Sequence, residues 1–236
     1  MTGAGISPGT AGPCNLVSGV KEVPMAEPAR WIYEEELPEL ILPEREDGKP
    51  WPAQGEWTYE DYLLLPDDGQ RYEVICGVLY VTPAPRYKHQ RSAGKFYLSL
   101  GSFVTRNGLG EVLFAPFDIK LPAGITNPVE PDIIFFRPGN LPGQEDRLFE
   151  GIPDLIVEVL SPRTRYRDGT VKLQAYQKAG VPEYWMLDPD ARTVVVYRLG
   201  GGDGRYVELC RGGMGDVVWS AVVQGFRVEV ADLFPE

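Results

Sequence analysis

Leu155-Ile156-Val157-Glu158-Val159-Leu160 reads as a strand covered on both faces, with one acid set inside it. A short, unbroken apolar run rich in β-branched residues is the pattern of a central sheet strand. Strict alternation would instead put Glu158 on a solvated face. A second acid, Asp132 in Glu130-Pro131-Asp132-Ile133-Ile134, opens another such run, and Glu73 lies near the start of an earlier one, Tyr72-Glu73-Val74. A lone ionised carboxylate in these surroundings costs on the order of several kcal/mol unless a cation or a proton compensates it.

If the strands of Asp132 and Glu158 pair, the two carboxylates converge on one edge of the sheet and chelate a hard divalent cation, with Glu73 as a third ligand, direct or through water. Lys172, on the helix that follows, reaches back to orient a water or to neutralise developing negative charge. Each residue also has a plainer reading. Asp132 is a strand-start residue after Pro131, and Lys172 is the i,i+4 partner of Asp168. His89 contacts a phosphate, supports the first acid, or only makes local hydrogen bonds at a helix start. Tyr176, one turn beyond Lys172, braces it or fills the core.

Composition narrows the chemistry. The 236 residues include one histidine, so a site built on several imidazoles is excluded, and any metal must be an oxygen-ligated magnesium, manganese or calcium. Three cysteines, Cys14, Cys76 and Cys210, are far apart, which argues against a disulfide framework and fits a reducing cytoplasm. No apolar window is long enough for a membrane span, and Met1–Ile6 has neither the basic start nor the apolar core of a secretory signal. The net charge of −11 speaks against a nucleic-acid partner, but its distribution is uneven. No acid falls between Glu73 and Glu111, where Arg86, Lys88, Arg91, Lys95 and Arg106 lie, and Arg163, Arg165 and Arg167 follow the strand of Glu158.

Residues 1–50, rich in Gly, Pro and Glu, read as a flexible extension in which Trp31–Leu42 offers a short docking segment. Residues 51–236 read as one α/β (α+β) domain: a mixed central sheet flanked by helices, with a peripheral C-terminal β meander. Thr58 and Asp61 form the capping box of a short helix ending at Pro66. A hairpin spans Arg71–Thr82 around Cys76-Gly77, and an amphipathic helix runs from His89 to about Arg106. Strands follow at Glu111–Leu121, Asp132–Phe136 and Leu155–Leu160. A helix then starts with Asp168 as its N-cap and stops at Gly180, and further strands cover Glu183–Leu187, Thr193–Leu199, Arg205–Leu209 and Phe226–Val230.

From Trp57 to about Phe234 the chain resembles the Uma-two putative restriction endonuclease group, a branch of the PD-(D/E)XK nuclease superfamily. The motifs that carry the likeness are Tyr72-Glu73 with Gly77; Pro85 with His89-Gln90; Pro131-Asp132; Glu158-Val159-Leu160-Ser161-Pro162; Asp168 with Lys172 and Tyr176; and Gly180-Val181-Pro182-Glu183-Tyr184-Trp185 before Asp188-Pro189. The resemblance implies a magnesium- or manganese-dependent endonuclease acting on DNA, with Asp132 and Glu158 as metal-binding acids, Glu73 as an additional acid, and His89, Arg91, Arg165 and Tyr176 as substrate contacts. It also brings in a homodimer, since cutting two strands needs two sites. One position departs from the superfamily pattern: its lysine normally lies two residues after the second acid, where this chain has Leu160, and Lys172 is the natural replacement. The alternative is a catalytically inactive nuclease-fold module that binds nucleic acid or protein.

Overall fold

The computed structural model describes residues 42–45, 47–82, 84–200, 202 and 204–234. Most of the 1–50 extension, including Trp31 and Cys14, lies outside them. A four-residue helix α1 (Tyr59–Tyr62), capped by the Thr58–Asp61 box, precedes a hairpin of β1 (Arg71–Ile75) and β2 (Val78–Thr82). Helix α2 (Tyr87–Asn107) follows, then β3 (Glu111–Phe114), β4 (Asp118–Lys120), β5 (Ile133–Phe136), β6 (Leu148–Glu150) and β7 (Leu155–Val159). A π-helical turn, Arg167–Lys172, runs directly into α3 (Leu173–Ala179). The chain ends with β8 (Glu183–Asp188), β9 (Thr193–Leu199), β10 (Tyr206–Gly212), β11 (Val217–Trp219), β12 (Arg227–Glu229) and α4 (Val230–Leu233).

Six strands make the main sheet in the order β10-β9-β8-β7-β5-β3. Only β7 and β8 are parallel, joined by the crossover through α3; every other neighbouring pair is antiparallel. The sheet is covered on both faces. On one side α2, α4 and the β11–β12 pair bury Phe96, Leu100, Trp185 and Phe226 against Leu155, Val157 and Val159. On the other, the β1–β2 hairpin, the β4–β6 pair and α3 bury Ile75, Ile119 and Tyr176 against Ile134 and Ile156. Burying both faces in this way explains why β7 reads as an unbroken apolar run, and the solvated-face reading of Glu158 is thereby overturned.

Three sequence expectations change in detail. The strand read over Glu111–Leu121 is two strands, because Pro116 has no N–H to extend the ladder and β4 leaves to pair with β6 in a separate sheet. The C-terminal meander, β8-β9-β10, makes the outer strands of the main sheet with β10 at its edge, so it is not a separate unit. Asp168 is not an N-cap: the helix starts a turn earlier, where the Ser161 carbonyl accepts from the Arg165 N–H at 2.9 Å and the Ser161 hydroxyl accepts from the Thr164 N–H.

Two contacts fix the framework. Gly77, in the hairpin turn at φ 77°, accepts from the backbone N–H groups of Gly55 and Trp57, and a Cβ placed on it would stand 2.3 Å from the Gly55 carbonyl oxygen. Glu183, buried on β8, accepts from Trp185 Nε1 and Ser220 Oγ through one oxygen and from the Ala221 and Val222 N–H groups through the other. Its carboxylate therefore ties the turn before β12 to the middle of the sheet.

Candidate active site

The antiparallel register of β5 on β7 pairs Ile133 with Val157 and Ile134 with Ile156. Extended by one residue, it sets Asp132 across from Glu158, and cross-strand partners share a face. Glu158 therefore lies on the Ile156 side of β7, the face covered by the π-turn and α3. Asp132 is pinned from the same strand: its Oδ2 accepts from the Val159 N–H at 2.8 Å and lies 3.2 Å from His89 Nε2. Both acids line a cleft of about 190 Å³, together with Arg71, Arg86, Arg163 and Lys172.

Lys172 is 2% exposed and stands among three carboxylates. Its Nζ is 2.8 Å from Glu73 Oε1, 2.9 Å from Glu158 Oε1 and 3.8 Å from Asp168 Oδ1. Burial would pull its pKa down, but Glu158, Glu73 and Asp168 outweigh that and raise it. The wide turn at Arg167–Lys172 buries Arg167, Asp168, Val171 and Lys172 together. Such insertions recur at functional sites, and here the turn brings Arg167 and Lys172 to the same pair of acids. Tyr176, one turn on, donates its hydroxyl to Glu158 Oε1 at 2.7 Å.

The acids divide by their surroundings. Burial pushes Glu73 up, but Lys172 and Arg167, 3.3 Å away, hold it down at about 2. Its remaining acceptor capacity goes to the Thr82 hydroxyl and the Glu130 N–H. Glu158 moves the other way, to about 8: burial and the like charges of Asp168 and Asp132 outweigh Lys172. Burial likewise raises Asp168. Three buried carboxylates, Glu73, Asp168 and Glu158, thus share two cations, Arg167 and Lys172, and Glu158 is the least compensated of them.

That balance tests the expected metal. Asp132 and Glu158 are hard oxygen donors facing each other at the cleft, and the excess negative field at Glu158 suits a magnesium- or manganese-type ion. Both Glu73 oxygens are engaged, by Lys172, Arg167, the Thr82 hydroxyl and the Glu130 N–H. Among the described residues no three His, Cys, Asp or Glu side chains form a metal cage.

The expected substrate contacts scatter. His89 lines the cleft. Arg91 leans over the Tyr87 ring at 5.9 Å. Arg165 makes a bidentate pair with Asp188, and Tyr176 is fully buried behind Glu158, outside the cleft lining. Sequence reasoning did not separate Arg167 from its neighbours Arg163 and Arg165 in one basic run, and it missed the Glu130–Asp118 pair beside Glu73. Burial raises Glu130 to about 7 and Asp118 to about 6. The only signal for them in the sequence was Glu130 standing two residues before Asp132.

A mixed sheet with acids on adjacent strands and a lysine beside them defines a restriction-endonuclease-like protein of the nuclease fold. The model of the Uma2 (Uma-two) family, described as putative restriction endonuclease, matches residues 59–231, and the chain belongs to that family. A crystal structure of a putative nuclease belonging to DUF820 from Anabaena variabilis ATCC 29413 is similar in fold, with a TM-score of 0.64 at 23% identity over 75% of this chain and 97% of that one. No curated protein matches the chain. Among the described residues no helix is long and apolar enough to cross a membrane.

Proposed function

We propose that the chain is a divalent-metal-dependent endonuclease that hydrolyses phosphodiester bonds in DNA. The observation that carries this reading is the placement of Asp132 across from Glu158 at the cleft, with the Lys172 ammonium 2.9 Å from Glu158. Asp132 and Glu158 would hold magnesium or manganese, which supplies a nucleophilic water at neutral pH and polarises a phosphoryl oxygen.

The remaining work belongs to the chain's own groups. The Val159 N–H fixes one oxygen of Asp132 and leaves the other for a ligand. Lys172 keeps positive charge beside Glu158, near where negative charge would develop on the phosphoryl oxygens. Glu73, held ionised, anchors Lys172 and is not itself a ligand. Arg71, Arg86 and Arg163 line the cleft at the level where phosphate oxygens enter. A homodimer would supply a second site for the second strand.

One observation favours an inactive binding module instead: Lys172 and Arg167 already pair with the buried acids, so the cluster has internal cations without a metal. Supercoiled plasmid incubated with magnesium or manganese separates the readings. Nicking by the native chain, lost in both Asp132→Asn and Glu158→Gln while circular dichroism shows the fold retained, is expected. Cleavage that survives either substitution, or calorimetry showing no metal binding, refutes the proposal.

A further inference from the structure

Beside the cleft lies a second cavity that the proposed reaction leaves unused. It is an apolar groove of about 480 Å³ between α2 and the segment after β3, walled by Gly94, Tyr97, Phe114 and Pro116. Arg71, Pro85, His89 and Asp132 line both the groove and the cleft, so the two are continuous. The Phe114 ring meets Tyr97 edge-on at 4.8 Å, yet Phe114 stays 58% exposed, an open aromatic face. Gln90 brings a donor and an acceptor to the same wall.

We infer that this groove seats one unstacked nucleobase of a single-stranded segment, the base carried by the nucleotide whose phosphate enters the cleft. The inference rests on the nuclease reading and narrows its substrate. A nucleotide's phosphate and base are joined through one sugar, so a groove sharing a wall with the phosphate site is where the base falls. Aromatic faces take any base by stacking, and a side-chain amide reads its edge. The volume suits a base with its sugar. Helix α2 carries basic residues and not one acid along its whole length, which suits a backbone running past it. Stacking on a single platform gains no more than extruding a base from a duplex costs, so the strand that reaches the groove is already unpaired.

Gly94 provides the test. Glycine inside a helix is unfavourable relative to other residues, and a Cβ placed on Gly94 meets nothing within 4 Å, so the missing side chain keeps the groove open. Gly94→Leu fills the space with a better helix former and touches no acid of the cleft. Fluorescence anisotropy, with divalent metal omitted, compares a labelled thymidine strand of about ten nucleotides with a fully abasic strand carrying the same phosphates. The native chain is expected to prefer the thymidine strand by roughly 5- to 100-fold. Gly94→Leu should bring that preference to about twofold or less while abasic binding stays unchanged. Equal binding of both strands by the native chain, or an undiminished preference in Gly94→Leu, overturns the inference. If plasmid nicking persists in that case, the nuclease reading stands without it. If neither strand binds and no plasmid is cut, the nuclease reading falls and the inference falls with it.

Discussion

Replacing Lys172 with Met keeps the length and apolar stem of the side chain and removes the one ammonium shared by Glu73, Glu158 and Asp168. Lys172 and Arg167 together outweigh burial and hold the Glu73 carboxyl well below its ordinary range, so ionised Glu73 stabilises the native chain at neutral pH. Removing one partner of a buried ion pair costs about 3–5 kcal/mol by analogy with other proteins. We therefore expect Lys172→Met to lose about 3–4 kcal/mol at pH 7, and for a domain of this size to melt about 10 °C lower. The loss must also depend on pH. Without Lys172, Glu73 keeps only Arg167 as a cation against its burial. Glu158, already raised in the native chain, rises further, so the folded variant holds its protons to higher pH. Stability is then fully present below about pH 4.5 and is lost as pH rises through the raised values. Urea unfolding at pH 5 and pH 8 should show the variant's deficit growing with pH, and adding Glu73→Gln should recover part of it. A deficit under about 1 kcal/mol, or one that does not change with pH, would mean that the cluster is not held together by this cation.

Glu130 gives a second pH test. Its folded value, about 7, lies above its ordinary 4.5, so its contribution is intact at low pH and is lost as pH rises through 7. Glu130→Gln, which never ionises, should match the native chain at pH 5 and be more stable at pH 8 by about 1–2 kcal/mol, discounted for partial solvent access; equal unfolding midpoints at pH 8 would refute the assignment. Gly77→Ala should cost about 2–4 kcal/mol, since its Cβ meets the Gly55 carbonyl oxygen in a left-handed turn, and a midpoint unchanged in urea would show that the 55–57 segment yields freely.

What the sequence made legible was what repeats locally. The unbroken apolar runs announced β5 and β7, and the Glu158 position followed from a strand with no wet face. The spacing of Ala93, Phe96, Leu100 and Val104 announced α2. What stayed hidden depends on which charges meet after folding. Arg163, Arg165 and Arg167 look alike in the sequence, yet one is exposed at the cleft, one is paired with Asp188 and one is buried against Glu73. Nothing short of tertiary packing separates them. Asp168 has the local marks of a helix start, but the polar groups of Ser161 take that role and leave Asp168 to the buried cluster. β6 is three residues long, too brief for any periodicity to declare it.

The grip of Glu183 on the Ser220–Val222 turn has a consequence for how the molecule can be divided. Cut between β10 and β11, the larger fragment would keep a carboxylate in its middle with all its external donors gone, beside the very strand that carries Glu158. Two such pieces, made separately and mixed, should have strong reason to find each other, and the tail that looks most expendable along the chain is the one that shields a buried carboxylate one strand away from Glu158.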